Sequence, residues 1–124
     1  MRTSKNYTTI KSLLPKNYYE YKLGQKWFYY HPIMNTSTYQ NNLIVIPKKM
    51  DNVTVHKYKK TIITYGLEMD LKRCKFSHKL YFETIKFMEE FTQIQYLINT
   101  LIQFILPKDA KALPSSNLGF IVTK

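Results

Sequence analysis

The sequence predicts an α+β fold in which a small antiparallel sheet, or a set of β-ribbons, packs beside one long helix. The strands are expected at about residues 17–66, with one more strand at the C-terminus, and the helix at about residues 77–106. Two observations predict this arrangement. Short alternating runs of β-forming residues fill the first half of the chain, and apolar residues at helical spacing follow them.

The first half contains an aromatic hairpin. A short helical turn is expected at residues 8–14, before it. The segments Tyr18–Lys22 and Gln25–Tyr30 are rich in aromatic residues, which favour strands, and they meet near Gly24. Two such segments joined by a short glycine-containing loop predict a β-hairpin. The polar residues 35–42 are expected to form a loop.

Two further strands and a short helix are expected next. Leu43–Ile46 is a short apolar run that ends at Pro47, and Val53–Tyr65 is the longest run of β-forming residues. Lysines fall on both faces of this longer strand, which is typical of an edge strand or a protruding ribbon. Residues 67–76 predict the short helix.

The long helix is predicted to begin at Ser77, a residue type that caps helices, and to end before Pro107. Apolar residues between positions 80 and 105 recur at spacings of three and four, so they share one helical face. Leu118–Thr123 predicts a final strand. The residues expected to pack against the sheet or a protein neighbour are Phe87, Phe91, Ile94, Ile98, Leu101 and Ile105.

The chain is predicted to form a single domain, residues 1–124, in which charge is unevenly distributed. Residues 1–79 contain thirteen Lys and two Arg against four acids, a net charge of +11, whereas residues 80–124 are neutral. Nine of the eleven Tyr also lie in the first part. A basic, aromatic-rich region is therefore joined to a neutral region that contains the long helix and the C-terminal strand.

A basic region rich in aromatic residues is typical of a surface that binds a polyanion. Rings stack on bases while lysines neutralise phosphates, which allows binding to RNA without reading its sequence. About half of the hairpin rings are expected to face the core instead. The candidate RNA-binding residues are Lys16, Lys22, Lys26, Tyr19, Tyr21, Trp27, Tyr29, Lys48, Lys49, Lys57, Lys59, Lys60, Lys72, Arg73 and Lys75.

No sequence pattern indicates catalysis or a cofactor. The histidines His31, His56 and His78 do not have the spacing of metal ligands, and the single cysteine, Cys74, excludes a disulfide within the chain. Only three glycines are present, and none is part of a phosphate-cradling loop. We therefore expect no enzyme activity, no metal or cofactor and no small-molecule substrate.

The composition indicates the kind of genome that encodes the chain. Ile, Lys, Asn, Tyr and Phe make up 55 of 124 residues, and their codons are rich in A and T, as in the genomes of organelles, some phages and some parasitic bacteria. We expect a non-enzymatic RNA-binding structural subunit of a ribonucleoprotein, foremost an organelle-encoded mitochondrial ribosomal protein in the matrix. The expected partners are RNA, foremost ribosomal RNA, and neighbouring protein subunits.

Two other interpretations stay open. Residues 91–107 contain no charged side chain, which suits a subunit of an organellar membrane complex with this segment at the bilayer. Several amides interrupt the segment, so burial against protein is the stronger expectation. Alternatively, the chain is a phage or mobile-element accessory protein that inhibits a host factor by binding, and a cytoplasmic location is then expected.

Overall fold

The structure is a computed structural model, and it describes residues 2–4, 6–11, 15–21, 25–30, 43–111, 114–117 and 119–124. The chain divides into two compact units, residues 1–50 and residues 51–124. Each unit has its own sheets and its own buried residues, and each is described by itself.

The first unit consists of five short strands in two antiparallel sheets. The strands are β1 (Arg2–Ser4), β2 (Tyr7–Lys11), β3 (Pro15–Tyr21), β4 (Gln25–Tyr30) and β5 (Leu43–Pro47). One sheet has the order β1-β4-β3, and the other pairs β2 with β5. Strands β3 and β4 confirm the aromatic hairpin, since Tyr21 pairs with Gln25. The expected turn near Gly24 lies outside the described residues.

The buried residues of the first unit come from both of its sheets. Phe28 of β4, Ile10 of β2 and Ile46 of β5 are buried. The Tyr30 hydroxyl donates to the carbonyl of Thr9 at 3.1 Å and is also hydrogen-bonded to the Thr9 hydroxyl. These bonds join the two sheets, and burial raises the pKa of Tyr30.

One expectation for this unit is wrong. A short helical turn was expected at residues 8–14, but the described part of that segment belongs to strand β2. The three consecutive β-branched residues of Thr8–Ile10 favour a strand, and β5 provides the partner. Residues 12–14 and the expected loop at residues 35–42 lie outside the described residues. The expected strand at Leu43–Ile46 is confirmed as β5.

The second unit is a mixed sheet with two helices. Its elements are β6 (Asp51–Lys57), β7 (Lys60–Gly66), α1 (Glu68–Arg73), α2 (Lys75–Thr92), β8 (Thr100–Ile105), β9 (Ser115–Asn117) and β10 (Phe120–Thr123). The strand order is β6-β7-β8-β10-β9, in which β7, β8 and β10 are parallel and the two outer pairs are antiparallel. The helices connect β7 to β8, because parallel neighbours need a crossover.

These elements confirm the α+β class with one long helix, and they correct the expected sheet. The sheet of the second unit is mixed rather than only antiparallel. The short helix expected at residues 67–76 is confirmed as α1, and the expected final strand is confirmed over Phe120–Thr123. Leu118 lies outside the described residues.

The long strand expected at Val53–Tyr65 is instead a hairpin of β6 and β7. Lys57 pairs with Lys60 across a two-residue turn, in which Tyr58 and Lys59 have φ angles of 51° and 61°. This left-handed conformation costs about 1–2 kcal/mol per residue unless the residue is Gly, Asn or Asp. Hairpin turns of this kind usually contain those residues. The turn is therefore not marked in the sequence.

The long helix is shorter than expected. Helix α2 ends at Thr92 rather than near residue 106, and Gln93 adopts a left-handed conformation with φ 56°. Residues 100–105 form β8, which lies between two parallel neighbours. A strand buried on both faces is a continuous apolar run, and its periodicity does not distinguish it from a buried helix.

Helix α2 packs on the sheet with the side opposite to the one expected. His78 and Phe82 are its buried residues, and Phe82 forms a core cluster with Ile62 and Leu101 against which Tyr81 packs. Helix α2 is apolar on two opposite sides, so its period alone does not determine which side meets the sheet. The outer face of α2, which is more than half exposed, comprises Phe76, Leu80, Phe87 and Phe91.

The residues expected to pack are therefore divided between core and surface. Leu101 is buried and Ile98 and Ile105 are partly buried, because β8 and the loop before it meet the sheet. The expectation is corrected for the remaining three, which are exposed, namely Phe87, Phe91 and Ile94.

Candidate nucleic-acid interface

The exposed side of β4 presents two aromatic rings. Trp27 and Tyr29 are 37% and 53% exposed, whereas the adjacent Lys26 and Phe28 are buried, because successive side chains of a strand point to opposite sides. Arg2 of β1 is exposed, and its Cα is paired with that of Trp27. Arg2, Trp27 and Tyr29 form a surface that we call the aromatic face. It offers rings for stacking and a guanidinium for phosphate.

Of the other hairpin candidates, the structure describes the side chain of Lys26 alone. Lys26 was expected at the RNA surface but is buried, because it shares the inner side of β4 with Phe28, and its Cα is paired with that of Glu20. Lys22 lies outside the described residues. Three candidates belong to β3, where the backbone is described but the side chains are not, namely Lys16, Tyr19 and Tyr21.

The first unit has almost no carboxylate to neutralise its cations. Lys48 and Lys49 are exposed in the turn after β5, which is held by a hydrogen bond of 2.9 Å from the Lys48 amide to the carbonyl of Asn6. Residues 1–50 contain seven Lys and one Arg against one acid, Glu20, a net charge of +7. A single carboxylate cannot neutralise eight cations, so this unit keeps a net positive charge.

The turn between β6 and β7 forms a second exposed group, the hairpin tip, which comprises Lys57, Tyr58 and Lys59. Tyr58 is 53% exposed, and the Nζ atoms of Lys57 and Lys86 lie 4.6 and 5.7 Å from the centre of its ring. Cations at these distances are attracted to the ring face. Lys57 also bonds to Glu83 at 3.1 Å, which raises the pKa of Lys57 and lowers that of Glu83.

Lys60 was expected to contact RNA, but the structure places it in the interior. Its Nζ donates to the carbonyl of Tyr96 at 2.5 Å and to Oδ1 of Asn99 at 3.2 Å, and lies 3.2 Å from Oε1 of Glu89. These three acceptors use the three protons of the ammonium group. The Tyr96 amide donates to the same Glu89 oxygen, which lowers the pKa of Glu89. Lys60 thus ties β7 to α2 and the loop after it.

The junction of α1 and α2 carries the last group of candidates. Lys72, Arg73 and Lys75 are exposed. Lys72 pairs with Glu68 at 2.8 Å, and both side chains are 73% exposed, so the pair contributes little to stability. Cys74 lies between these cations but is buried, and its burial raises the pKa of the thiol. The neighbouring cations therefore do not activate it.

The structure adds three residues that were not among the candidates from the sequence. Arg2 lies far from the aromatic segments along the chain, and Lys86 belongs to the neutral region. Tyr58 lies within what resembles a continuous strand. A possible signal for Tyr58 was the cluster of lysines at residues 57–60, which interrupts two runs of β-branched residues.

Among the described residues, no group of three His, Cys, Asp or Glu side chains is arranged to hold a metal ion. Over the same part of the chain, no helix has the length and apolarity needed to cross a membrane. No protein-family model matches the chain, and a comparison with curated proteins likewise finds no match.

Proposed function

We propose that this protein is a non-enzymatic, basic RNA-binding structural subunit of a ribonucleoprotein. The aromatic face carries this proposal, because exposed Trp27 and Tyr29 lie beside Arg2 in a unit with seven Lys and one Arg against one acid. Stacking of a base on such a ring contributes about 1–3 kcal/mol. Single-stranded loops of RNA present bases that are free to stack, and phosphates attract the surrounding cations.

The hairpin tip supports the same function in the second unit. It exposes the ring of Tyr58 together with Lys57 and Lys59, all within one turn. The left-handed backbone at Tyr58 and Lys59 costs stability. Strained backbone of this kind is concentrated at functional positions. A contact with RNA would explain why the chain contains this strained turn.

Neighbouring protein subunits are the second class of partner in this proposal. The outer face of α2 exposes four large apolar side chains, and the rings of Phe87 and Phe91 stack with their centres 5.9 Å apart. A continuous apolar stripe on a free monomer promotes aggregation. A protein neighbour in the assembled particle would remove this stripe from water.

Within this class, we place the protein in the mitochondrial ribosome, encoded in the organelle and acting in the matrix. The composition supports this placement, because 55 of 124 residues are Ile, Lys, Asn, Tyr or Phe, whose codons are rich in A and T. Ribosomal RNA supplies the dense phosphate surface that a sequence-tolerant basic protein requires.

The first experiment measures how RNA binding by the full chain depends on salt. Fluorescence anisotropy with a labelled single-stranded RNA gives the Kd between about 50 and 200 mM salt. We expect the logarithm of the binding constant to fall by about 0.7 per phosphate contact for each tenfold rise in salt, because bound lysines release counterions. An affinity that barely changes over this range would reject RNA binding.

The second experiment tests whether the protein belongs to a ribosomal particle. The protein in mitochondrial extract should co-sediment with ribosomal particles, and RNase should release it. Release by high salt without detergent separates this function from that of an integral membrane subunit. If the protein sediments with no particle and RNase does not change its sedimentation, the result would instead favour the interpretation as an inhibitor that binds a host protein.

A further inference from the structure

The second unit contains a cleft where the parallel strands β8 and β10 end. Its volume is about 400 Å³, and its walls come from α1, the start of α2 and the residues that follow the two strands. In open sheets with parallel strands, ligands bind outside the carboxyl ends of those strands. The position of the cleft is therefore one at which a ligand is expected.

Three of the ten described residues that line this cleft are cationic. Arg73 comes from the end of α1, Lys108 from the loop after β8, and Lys124 directly follows β10. Asp70 is the single carboxylate among the described residues that line the cleft. The three cationic side chains therefore outnumber the one carboxylate side chain, which favours an anionic ligand.

A buried hydrogen-bond network fixes the base of the cleft. Gln103 accepts a bond from the Thr64 hydroxyl at 3.2 Å and donates a long one of 3.4 Å to the Ser77 hydroxyl. Since Thr64 gives its only proton to Gln103, it accepts from Nε2 of His78, 2.8 Å away. Ser77 and Gln103 both line the cleft. Because Ser77 accepts from Gln103, its own proton is available to a ligand.

We propose that this cleft binds a phosphomonoester, the terminal phosphate group of a nucleotide. Such a group carries a charge of about −1.5 to −2 at neutral pH and three acceptor oxygens. The Arg73 guanidinium can bind two of these oxygens, while Lys108 and Lys124 act as point charges. The volume of about 400 Å³ leaves room for the attached nucleoside. Phosphate binding here does not depend on the aromatic face.

The probe is uridine 5′-monophosphate, titrated into the full chain by calorimetry. We expect it to bind, we expect inorganic phosphate to compete with it, and we expect uridine, which lacks the phosphate, not to bind. The same phosphomonoester chemistry occurs at the 5′ end of RNA. Two oligonucleotides that differ only in a 5′-phosphate or a 5′-hydroxyl separate the sources. Tighter binding of the phosphorylated RNA would identify the 5′ end of RNA as the ligand of the cleft. Equal binding of the two RNAs would identify a free nucleotide as the ligand.

Two pairs of variants locate the binding. Arg73→Ala and Lys108→Ala should each raise the Kd for uridine 5′-monophosphate about tenfold, because each removes a charged contact. Their controls, Lys79→Ala and Lys111→Ala, remove the same charge from exposed residues outside the cleft and should leave the Kd unchanged. Circular dichroism checks that all four variants fold. Equal weakening by the controls, or no binding by the unaltered protein, would overturn the assignment.

Discussion

The two units of this chain carry positive charge in different ways. Residues 1–50 have eight cations against one acid, whereas residues 51–124 have eleven cations against seven acids. In the described part of the second unit, four lysines lie within 4 Å of glutamates, at Lys57–Glu83, Lys60–Glu89, Lys72–Glu68 and Lys86–Glu90. The second unit thus neutralises part of its charge internally, whereas the first unit has one carboxylate for eight cations.

The exposed aromatic residues of the two units also differ in their surroundings. The first unit exposes Trp27 and Tyr29 beside a cation, an environment that suits RNA. The second unit buries Phe82 and Phe120 and places its exposed phenylalanines in one stripe along α2. That stripe suits a protein neighbour. Net charge alone does not identify a binding surface, and the local supply of carboxylates decides where charge is available.

The largest expected effect is the loss of stability caused by truncating a core side chain of the second unit. Leu101→Ala should lower the free energy of unfolding by about 2–5 kcal/mol, because Leu101 is buried with Ile62 and Phe82. The matched control is Ile94→Ala, at a residue that is 70% exposed, and its effect should stay below about 0.5 kcal/mol. Urea unfolding measures both, and equal losses would contradict the placement of residues 94–101.

The second prediction separates the aromatic face from other exposed rings of the first unit. Trp27→Ala should weaken RNA binding by about 1–3 kcal/mol through loss of a stacked base, with little change in stability. Tyr7→Ala, on β2, removes a ring that is 46% exposed and should leave RNA affinity nearly unchanged. Anisotropy at one fixed salt concentration gives both values. Similar weakening by the two variants would remove the special role of the aromatic face.

The third prediction concerns the strained hairpin tip. Lys59→Gly should raise the free energy of unfolding by up to about 1 kcal/mol, because glycine adopts the left-handed conformation without strain. The same variant should lower RNA affinity and reduce the salt slope by about 0.7, the value for one phosphate contact. A gain in stability without any change in the salt slope would show that the tip does not contact RNA.

The smallest effect is a pH dependence from the second unit. Burial lowers the pKa of His78, so the unfolded chain binds a proton at a higher pH than the folded chain does. The contribution of His78 to the free energy of unfolding should be fully present above about pH 6.5 and should decrease as the pH falls below that value. The variant His78→Gln should lack the part of this decrease that comes from protonation of His78. Thermal unfolding at about pH 7.5 and pH 5 compares the two proteins, and identical declines would exclude His78 as the source.

Local signals were enough to predict several elements of the fold. The aromatic hairpin, β5, α1 and the last strand are each marked by composition or by a turn residue. The segment of residues 100–105 is not, because it is buried on both faces of the sheet and its apolar residues show no two-residue alternation. The side of α2 that meets the sheet also depends on tertiary packing, since both sides are apolar.

The candidate site was predicted less completely. Trp27, Tyr29 and Lys59 are exposed as an RNA contact requires. Lys60 is equally charged but buried, and its hydrogen-bond acceptors Tyr96 and Asn99 lie 36 and 39 positions away along the chain. No local pattern reports such distant partners. Charge in a sequence therefore identifies a basic protein more reliably than it identifies which lysines are free to bind.

The position of β10 has a consequence for synthesis of the chain. This strand is the last of the described elements to be made, yet it lies inside the sheet, between β8 and β9. Until residues 120–123 emerge from the ribosome, β8 is an edge strand with unpaired backbone groups that other chains can bind. A premature stop shortly before Phe120 would therefore remove an interior strand rather than a dispensable tail. Between the synthesis of β8 and that of β10, a chaperone or a partner that covers β8 would protect the nascent chain from such contacts.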